Sequence, residues 1–305
     1  MIRLLQRGST IYHRNIFLTR HEPRIDPRTM NLDPETKARL EVLARDGCCL
    51  LEGIIPADQV GPVRASVSET VRRHTKLPFP TGYVTGLLRL DQSIAPYVAD
   101  PRILSVVRVL FGEHARISMF TGTINGPGLP RGEWHADWPF NQGHRSHVSA
   151  PYPDVVMNLV TIWMLTDFTV ENGATLYLPG SHLEHDSPHP GGGPLDPLAV
   201  LPDERQLVGR AGDVGVFDAR TWHAVSPNRT AEERVAVVVR YAPWWLNLNP
   251  LRPGTRDRFQ IVESAGAVDI TVEPIPAAVY ERLPAELQPL VYHMVETSDA
   301  DPIRA

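Results

Sequence analysis

Glu133-Trp-His-Ala-Asp-Trp-Pro-Phe140 sets His135 and Asp137 two residues apart among aromatic side chains. Successive side chains on a strand point to opposite faces, so this spacing presents an imidazole and a carboxylate on one side. Such a pair supplies two of the three ligands of a facial triad, which leaves open positions on ferrous iron for a cosubstrate and oxygen. The third ligand is expected downstream, at His223 in Phe217-Asp-Ala-Arg-Thr-Trp-His, which follows the strand-like run Gly212-Asp-Val-Gly-Val-Phe217. Arg234 opens the next strand-like run, Arg234-Val-Ala-Val-Val-Val-Arg240, where parity puts Arg240 on the same face as Arg234.

Around that centre the chain reads as helices first and strands afterwards. Asp33-Pro34-Glu35 opens a helix with a capping residue and a proline in the first turn, striped by Leu40 and Leu43 and ended by Asp46-Gly47. Cys48–Ile55 reads as a buried strand, Pro56–Arg73 as a second helix with Val60, Val63, Val67 and Val71 at helical spacing, and Pro101–Phe111 as a third, closed by Gly112. After Gly112, strand-length apolar runs alternate with turns: Ala115–Ile124, Trp134–Trp138, Val155–Thr166, Ala174–Leu178, Asp213–Phe217 and Arg234–Tyr241. This order predicts a mainly β protein with helices flanking a sandwich or barrel. One domain is expected over residues 1–305, with an N-terminal arm to about residue 32 and a C-terminal extension from about residue 243.

Of the 305 residues 42% are hydrophobic and 21% charged, the proportions of an ordinary globular protein. A net charge of -5 points away from nucleic acid and anionic membranes and toward small-molecule chemistry. The only cysteines, Cys48 and Cys49, are adjacent in an apolar run and read as core of a strand, in keeping with a reducing compartment. No apolar run approaches the roughly 18 residues that span a bilayer, so the expected location is cytoplasmic. Composition says nothing of oligomeric state.

The Pro179–Pro202 stretch, rich in Pro and Gly, reads as a long loop between strands, and a lid is one use of such loops. Its histidines His182, His185 and His189 are expected to be exposed. His144 and His147 form a rival cluster, but no carboxylate stands with them in a strand-like frame.

Gly173-Ala-Thr-Leu-Tyr-Leu-Pro-Gly-Ser-His182 joins the His135/Asp137 pair, the His223 segment and Arg234 in one order. In that combination the chain resembles the phytanoyl-CoA dioxygenase family of iron(II)- and 2-oxoglutarate-dependent oxygenases. The resemblance covers roughly Leu40 to Tyr241 and includes Asp46-Gly-Cys-Cys-Leu-Leu-Glu-Gly53, which looks like the family's first strand. It implies a double-stranded β-helix, a cupin-like jelly roll, with iron at its mouth. His135, Asp137 and His223 match the family's ligands, and Arg234, eleven residues after His223, matches the arginine that binds the far carboxylate of 2-oxoglutarate. A guanidinium suits that task because it keeps its charge and offers a two-pronged donor, and Arg240 is the rival for it. Trp163, Ser226 and Arg89 are further residues that the resemblance places near the cosubstrate, Ser226 because Val225 stands where relatives carry a small hydroxyl residue. Trp138, Phe140 and Tyr152, with Trp244 and Trp245, are candidates for the wall of a substrate pocket.

Retention of Asp137 implies hydroxylation or a related oxidation rather than halogenation, since halogenating relatives replace the carboxylate with a small residue. The implied reaction uses iron(II), 2-oxoglutarate and O2 to oxidise a C–H bond of a small molecule, with desaturation or cyclisation as other outcomes. Competing readings are a non-catalytic jelly-roll binding protein and a zinc-dependent cupin-like hydrolase or isomerase, zinc accepting the same ligands. Only Arg234, which zinc chemistry has no need of, separates the zinc reading from the oxygenase.

Overall fold

Among the described residues three longer helices come before most of the strands, and local sequence accounts for their ends. In the computed structural model, which describes residues 32–137, 154–184, 188, 196–246, 256, 259–260 and 273–296, helix α1 spans Pro34–Asp46. The Asp33 carboxylate accepts from the Thr36 N–H at 2.9 Å, satisfying one of the donors that a helix start leaves free. Gly47 stops α1 at φ 75°, and its N–H reaches back to the Leu43 carbonyl. Helix α2 (Ala57–His74) buries Val60, Val63, Val67 and Val71. Two single-turn helices, α3 (Leu87–Leu90) and α4 (Ala95–Val98), precede α5 (Pro101–Phe111), which Gly112 ends at φ 79°.

Strands β1 (Cys48–Leu51), β2 (Thr81–Thr85), β3 (Arg116–Asn125), β4 (Leu159–Met164), β7 (Val214–Asp218) and β9 (Arg234–Ala242) form a six-stranded sheet in the order β1-β7-β4-β9-β3-β2. Every pairing is antiparallel. A smaller antiparallel sheet, in the order β6-β5-β8, is built from β5 (Leu176–Tyr177), β6 (Arg205–Gln206) and β8 (His223–Ala224). The Trp134–Trp138 run expected as a strand gives only an isolated bridge, His135 to His223, within its described part.

Period-two alternation sorts the large sheet's side chains into two cores. On one face Leu159, Trp163, Val214, Val216, Val235, Val237, Val239 and Tyr241 pack with residues of α1, α2 and α5. On the other, Val160, Ile162, Met164, Phe217 and Ala236 form a second core with Phe168, Ala174 and Leu207. Cys48 belongs to this second core and Cys49 to the first, so the neighbouring thiols face apart and both are free and buried. Among the described residues no helix is long and apolar enough to cross a membrane.

Candidate metal centre

His135 and Asp137 lie on a segment that runs antiparallel to residues 219–225 and is laced to it by the backbone. The N–H groups of Gly132, His135 and Asp137 donate to the carbonyls of Val225, His223 and Ala219 at 2.8–3.0 Å, and the His223 N–H returns a bond to the His135 carbonyl. Ligand atoms of His135, Asp137 and His223 consequently lie within 4.8 Å of one another. Each imidazole is held by a carbonyl two residues before it: His135 Nδ1 lies 3.0 Å from the Glu133 oxygen and His223 Nδ1 2.9 Å from the Thr221 oxygen. A carbonyl can only accept, so both Nδ1 atoms carry the proton and both Nε2 lone pairs are bare. That is the tautomer a metal requires, and two nitrogens with one carboxylate oxygen form the donor set of a facial triad.

The charge state suits the same purpose. Burial raises the Asp137 carboxyl, but the Arg240 guanidinium beside it outweighs burial and holds the group below the ordinary carboxylate range. Burial and neighbouring His135 push the His223 imidazole down to about 4, so it stays neutral and able to donate its lone pair. Asp137 divides its oxygens, with Oδ1 2.6 Å from Arg240 Nη2 and Oδ2 3.7 Å from His223 Nε2.

Arg234 and Arg240 both point to the second-core side of β9, as parity requires, but they meet different surroundings. Arg240 is paired with Asp137. Arg234 is 5% exposed and stacks over the Phe168 ring at 4.3 Å. Its Nε has no hydrogen-bond partner, and no carboxylate among the described residues lies within ion-pair distance. Burial alone pushes its guanidinium down to about 10. A desolvated cation without an anion is costly, so this end of the strand is suited to receive an acid.

Other expected residues fall elsewhere. Trp163 is fully buried on the helix-facing side of β4, where its Nε1–H donates to Thr161 Oγ1; strand parity removes it from the face that carries the arginines. Arg89 is exposed on α3 and has no bond to the centre. Ser226 is buried, but its hydroxyl accepts from Gln206 Nε2 at 2.9 Å, at the edge of the smaller sheet. Trp244 and Trp245 are each 54% exposed. Trp138, Phe140 and Tyr152 lie outside the described residues, as do His144, His147, His185 and His189.

His182, expected to be exposed, is 3% exposed. Its Nε2–H donates to the Ala44 carbonyl at 3.1 Å, and the neighbouring Ser181 Oγ accepts from the Trp222 N–H at 2.8 Å. The start of the 179–202 stretch is thus a wedge between the end of α1 and the strand that carries His223. Its far end grips the other ligand segment: the Pro197 carbonyl accepts from the Trp134 N–H, and the Ala199 carbonyl accepts from Trp134 Nε1 and Arg131. Sequence reading missed this buttressing role and the Arg240–Asp137 pair. Parity already put Arg240 on the correct face, but a contact spanning 103 positions leaves no local signal.

Known proteins resemble this chain to different extents. A dioxygenase of Aspergillus fumigatus, "Dioxygenase af480", is 33% identical over 51% of this chain and 46% of its own length. The chain therefore spans about half of that relative. Ectoine dioxygenase of Bordetella bronchiseptica is 23% identical, over 79% of this chain and 86% of its own. The crystal structure of the epimerase SnoN in complex with Fe3+, alpha ketoglutarate and nogalamycin RO superposes with a TM-score of 0.53 at 22% identity, covering 69% of this chain and 85% of that one. Residues 43–236, which include both ligand segments and Arg234, match phytanoyl-CoA dioxygenase as a family. With the match extending over well more than half of its length, the chain belongs to the phytanoyl-CoA dioxygenase family.

Proposed function

We propose that this chain is an iron(II)- and 2-oxoglutarate-dependent dioxygenase that hydroxylates an unactivated C–H bond of a small molecule, in the tailoring of a natural product. In this reading the two antiparallel sheets are the halves of a double-stranded β-helix. His135, Asp137 and His223 hold the iron, and Arg234 holds the far carboxylate of 2-oxoglutarate. The observation that carries the reading is the buried Arg234, which has no carboxylate partner among the described residues and lies on the same face of β9 as Arg240, whose own charge is already matched by Asp137. A zinc hydrolase has no use for such a cation. Membership of a dioxygenase family supports the same reading, and the nogalamycin-binding epimerase and the ectoine dioxygenase among similar proteins support a small-molecule substrate.

When bound, iron would activate O2, the oxidant, with 2-oxoglutarate supplying two of the four electrons as it is converted to succinate and carbon dioxide and the C–H bond supplying the other two. The chain's own residues prepare the ground. The Glu133 and Thr221 carbonyls hold the imidazole protons at Nδ1 and so aim both Nε2 atoms inward. Arg240 keeps Asp137 ionised. Between the two arginines β9 presents Ala236 and Val238 beside Val160 and Ile162, an apolar lining that excludes water and strengthens the electrostatic grip of Arg234.

The test is an anaerobic titration of the iron-loaded protein with 2-oxoglutarate, followed by aerobic screening of small molecules scored by succinate release. Saturable 2-oxoglutarate binding and substrate-stimulated succinate are expected. Metal binding with no affinity for 2-oxoglutarate would overturn the proposal in favour of the zinc reading. Affinity for 2-oxoglutarate without oxygen-dependent turnover of any kind would favour a binding protein.

A further inference from the structure

Among the described residues Asp137 makes the fewest backbone bonds of the three candidate ligands. Its segment forms no regular strand with its neighbours among the described residues, and one backbone bond, from its N–H to the Ala219 carbonyl, fixes its main chain. A carboxylate on such a segment can turn about its last bonds and offer a metal one oxygen or two. Two would occupy a position that a two-pronged cosubstrate and oxygen together need. The structure supplies a restraint from the opposite wall. Arg240 sits near the end of β9, which is flanked by β3 and β4 with Arg240 opposite Met119 and Val160. Its main chain is tied further by Ser118, whose hydroxyl donates to the Arg240 carbonyl and accepts from Asn158 Nδ2. From this frame Nη2 reaches Oδ1 of Asp137 at 2.6 Å, and Oδ2 is the oxygen turned toward His223.

We infer that Arg240 is a positioning residue that captures Oδ1 of Asp137, so that the carboxylate meets the metal through Oδ2 alone and three coordination positions stay open. The inference rests on the metal centre proposed above. Arg240 has Asp137 as its partner, which separates its role from that of Arg234. The shared contact is a single charge-assisted bond rather than a two-pronged one, so a lysine of sufficient reach can replace it in part.

Manganese(II) is the probe, because it takes the same donors without turnover and the relaxation of water protons reports how many waters it holds. Arg240→Met, full-length and checked to be folded, is expected to show relaxivity per bound ion lower by the contribution of one water, since the freed carboxylate chelates and displaces it. Arg240→Lys is expected to recover most of that loss. Arg234→Ala, with its change at the far end of the strand, is expected to leave the relaxivity unchanged. Unaltered relaxivity in Arg240→Met would overturn the inference, as would an Arg240→Lys protein no better than the methionine variant. Should Arg240→Met not fold, Arg240→Lys and Arg240→Gln are compared instead, and equal relaxivity in the two would likewise overturn it. Failure of the functional proposal reads differently: wild-type protein would bind manganese with the expected relaxivity yet show no 2-oxoglutarate binding. Wild-type protein that binds no manganese would overturn both.

Discussion

Two arginines six positions apart on one strand face divide the labour at the residue scale. Arg240 has its counter-charge within the chain, whereas Arg234 is buried with no carboxylate in ion-pair reach among the described residues. Arg234→Ala should therefore weaken 2-oxoglutarate binding by roughly two to four powers of ten, the equivalent of about 3–5 kcal/mol for a buried charge pair left with one partner. Metal affinity should be nearly unchanged, and calorimetric titration of each checks both. The same desolvated cation strains the cofactor-free fold, so Arg234→Met should raise its stability by about 1 kcal/mol or more, read as a higher melting temperature before 2-oxoglutarate is added. His182 offers a pH test. With Nε2–H bonded to the Ala44 carbonyl, Nδ1 is bare and without a partner, and burial holds the imidazole below its ordinary value of 6.5. The unfolded chain then binds the proton more readily than the folded one, so stability is lost as pH falls below about 6.5 toward the lower folded value. Melting temperatures of metal-free protein should fall more steeply from pH 7 to 5 in wild type than in His182→Gln. His223, depressed in the same direction, is common to both proteins and cancels in the difference.

At the scale of elements, the end of α1 and the turn before β8 form one joint. Gly47 adopts φ 75°, and a Cβ there would stand 2.4 Å from Thr221 Oγ1 and 2.6 Å from His182 Nδ1. The Thr221 hydroxyl donates to the Gly47 carbonyl, and the Thr221 carbonyl holds His223 Nδ1–H. A side chain at Gly47 would thus both strain the helix end and push on the residue that orients a candidate ligand. Gly47→Ala is expected to cost at least about 2 kcal/mol and to weaken metal binding. Gly53 is the control: it too has a positive φ, 59°, but open space around its missing Cβ. Gly53→Ala should cost only the left-handed backbone term of about 1–2 kcal/mol, with metal affinity unaltered. Equal effects of the two substitutions on metal affinity would separate the joint from the site.

Across the whole molecule the centre is held by a frame of backbone bonds and apolar packing. Both ligand segments are joined by backbone bonds, the six-stranded sheet stands behind them, and the first core ties that sheet to the helices. Chelation should therefore leave the far-ultraviolet circular dichroism unchanged. Returning metal at a hundred times its dissociation constant should add about 2.7 kcal/mol of stability by mass action, visible as a rise in melting temperature. Asp137→Ala should abolish that rise while remaining folded. A chelated protein that loses its secondary structure would show the metal to be structural instead.

Sequence alone determined what depends on near neighbours and on period. Asp33-Pro34 and Gly47 marked the ends of α1, Gly112 marked that of α5, and the valine runs marked β7 and β9, because caps, turn residues and alternation act within a few positions. Parity put Arg234 and Arg240 on one face, and the spacing of His135 and Asp137 pointed to a ligand pair. The single-turn helices α3 and α4 and the two-residue strands β5, β6 and β8 are too short to repeat a period, and tertiary contacts alone define their extents. Tertiary structure also decided the questions that turn on which face meets which. Trp163 went to the helix side of β4, His182 was sealed under the end of α1, and Arg240 rather than Arg234 met Asp137. Each of these follows from contacts between segments far apart in the chain, where the free energy comes from burial and charge matching in three dimensions and no short-range pattern records it.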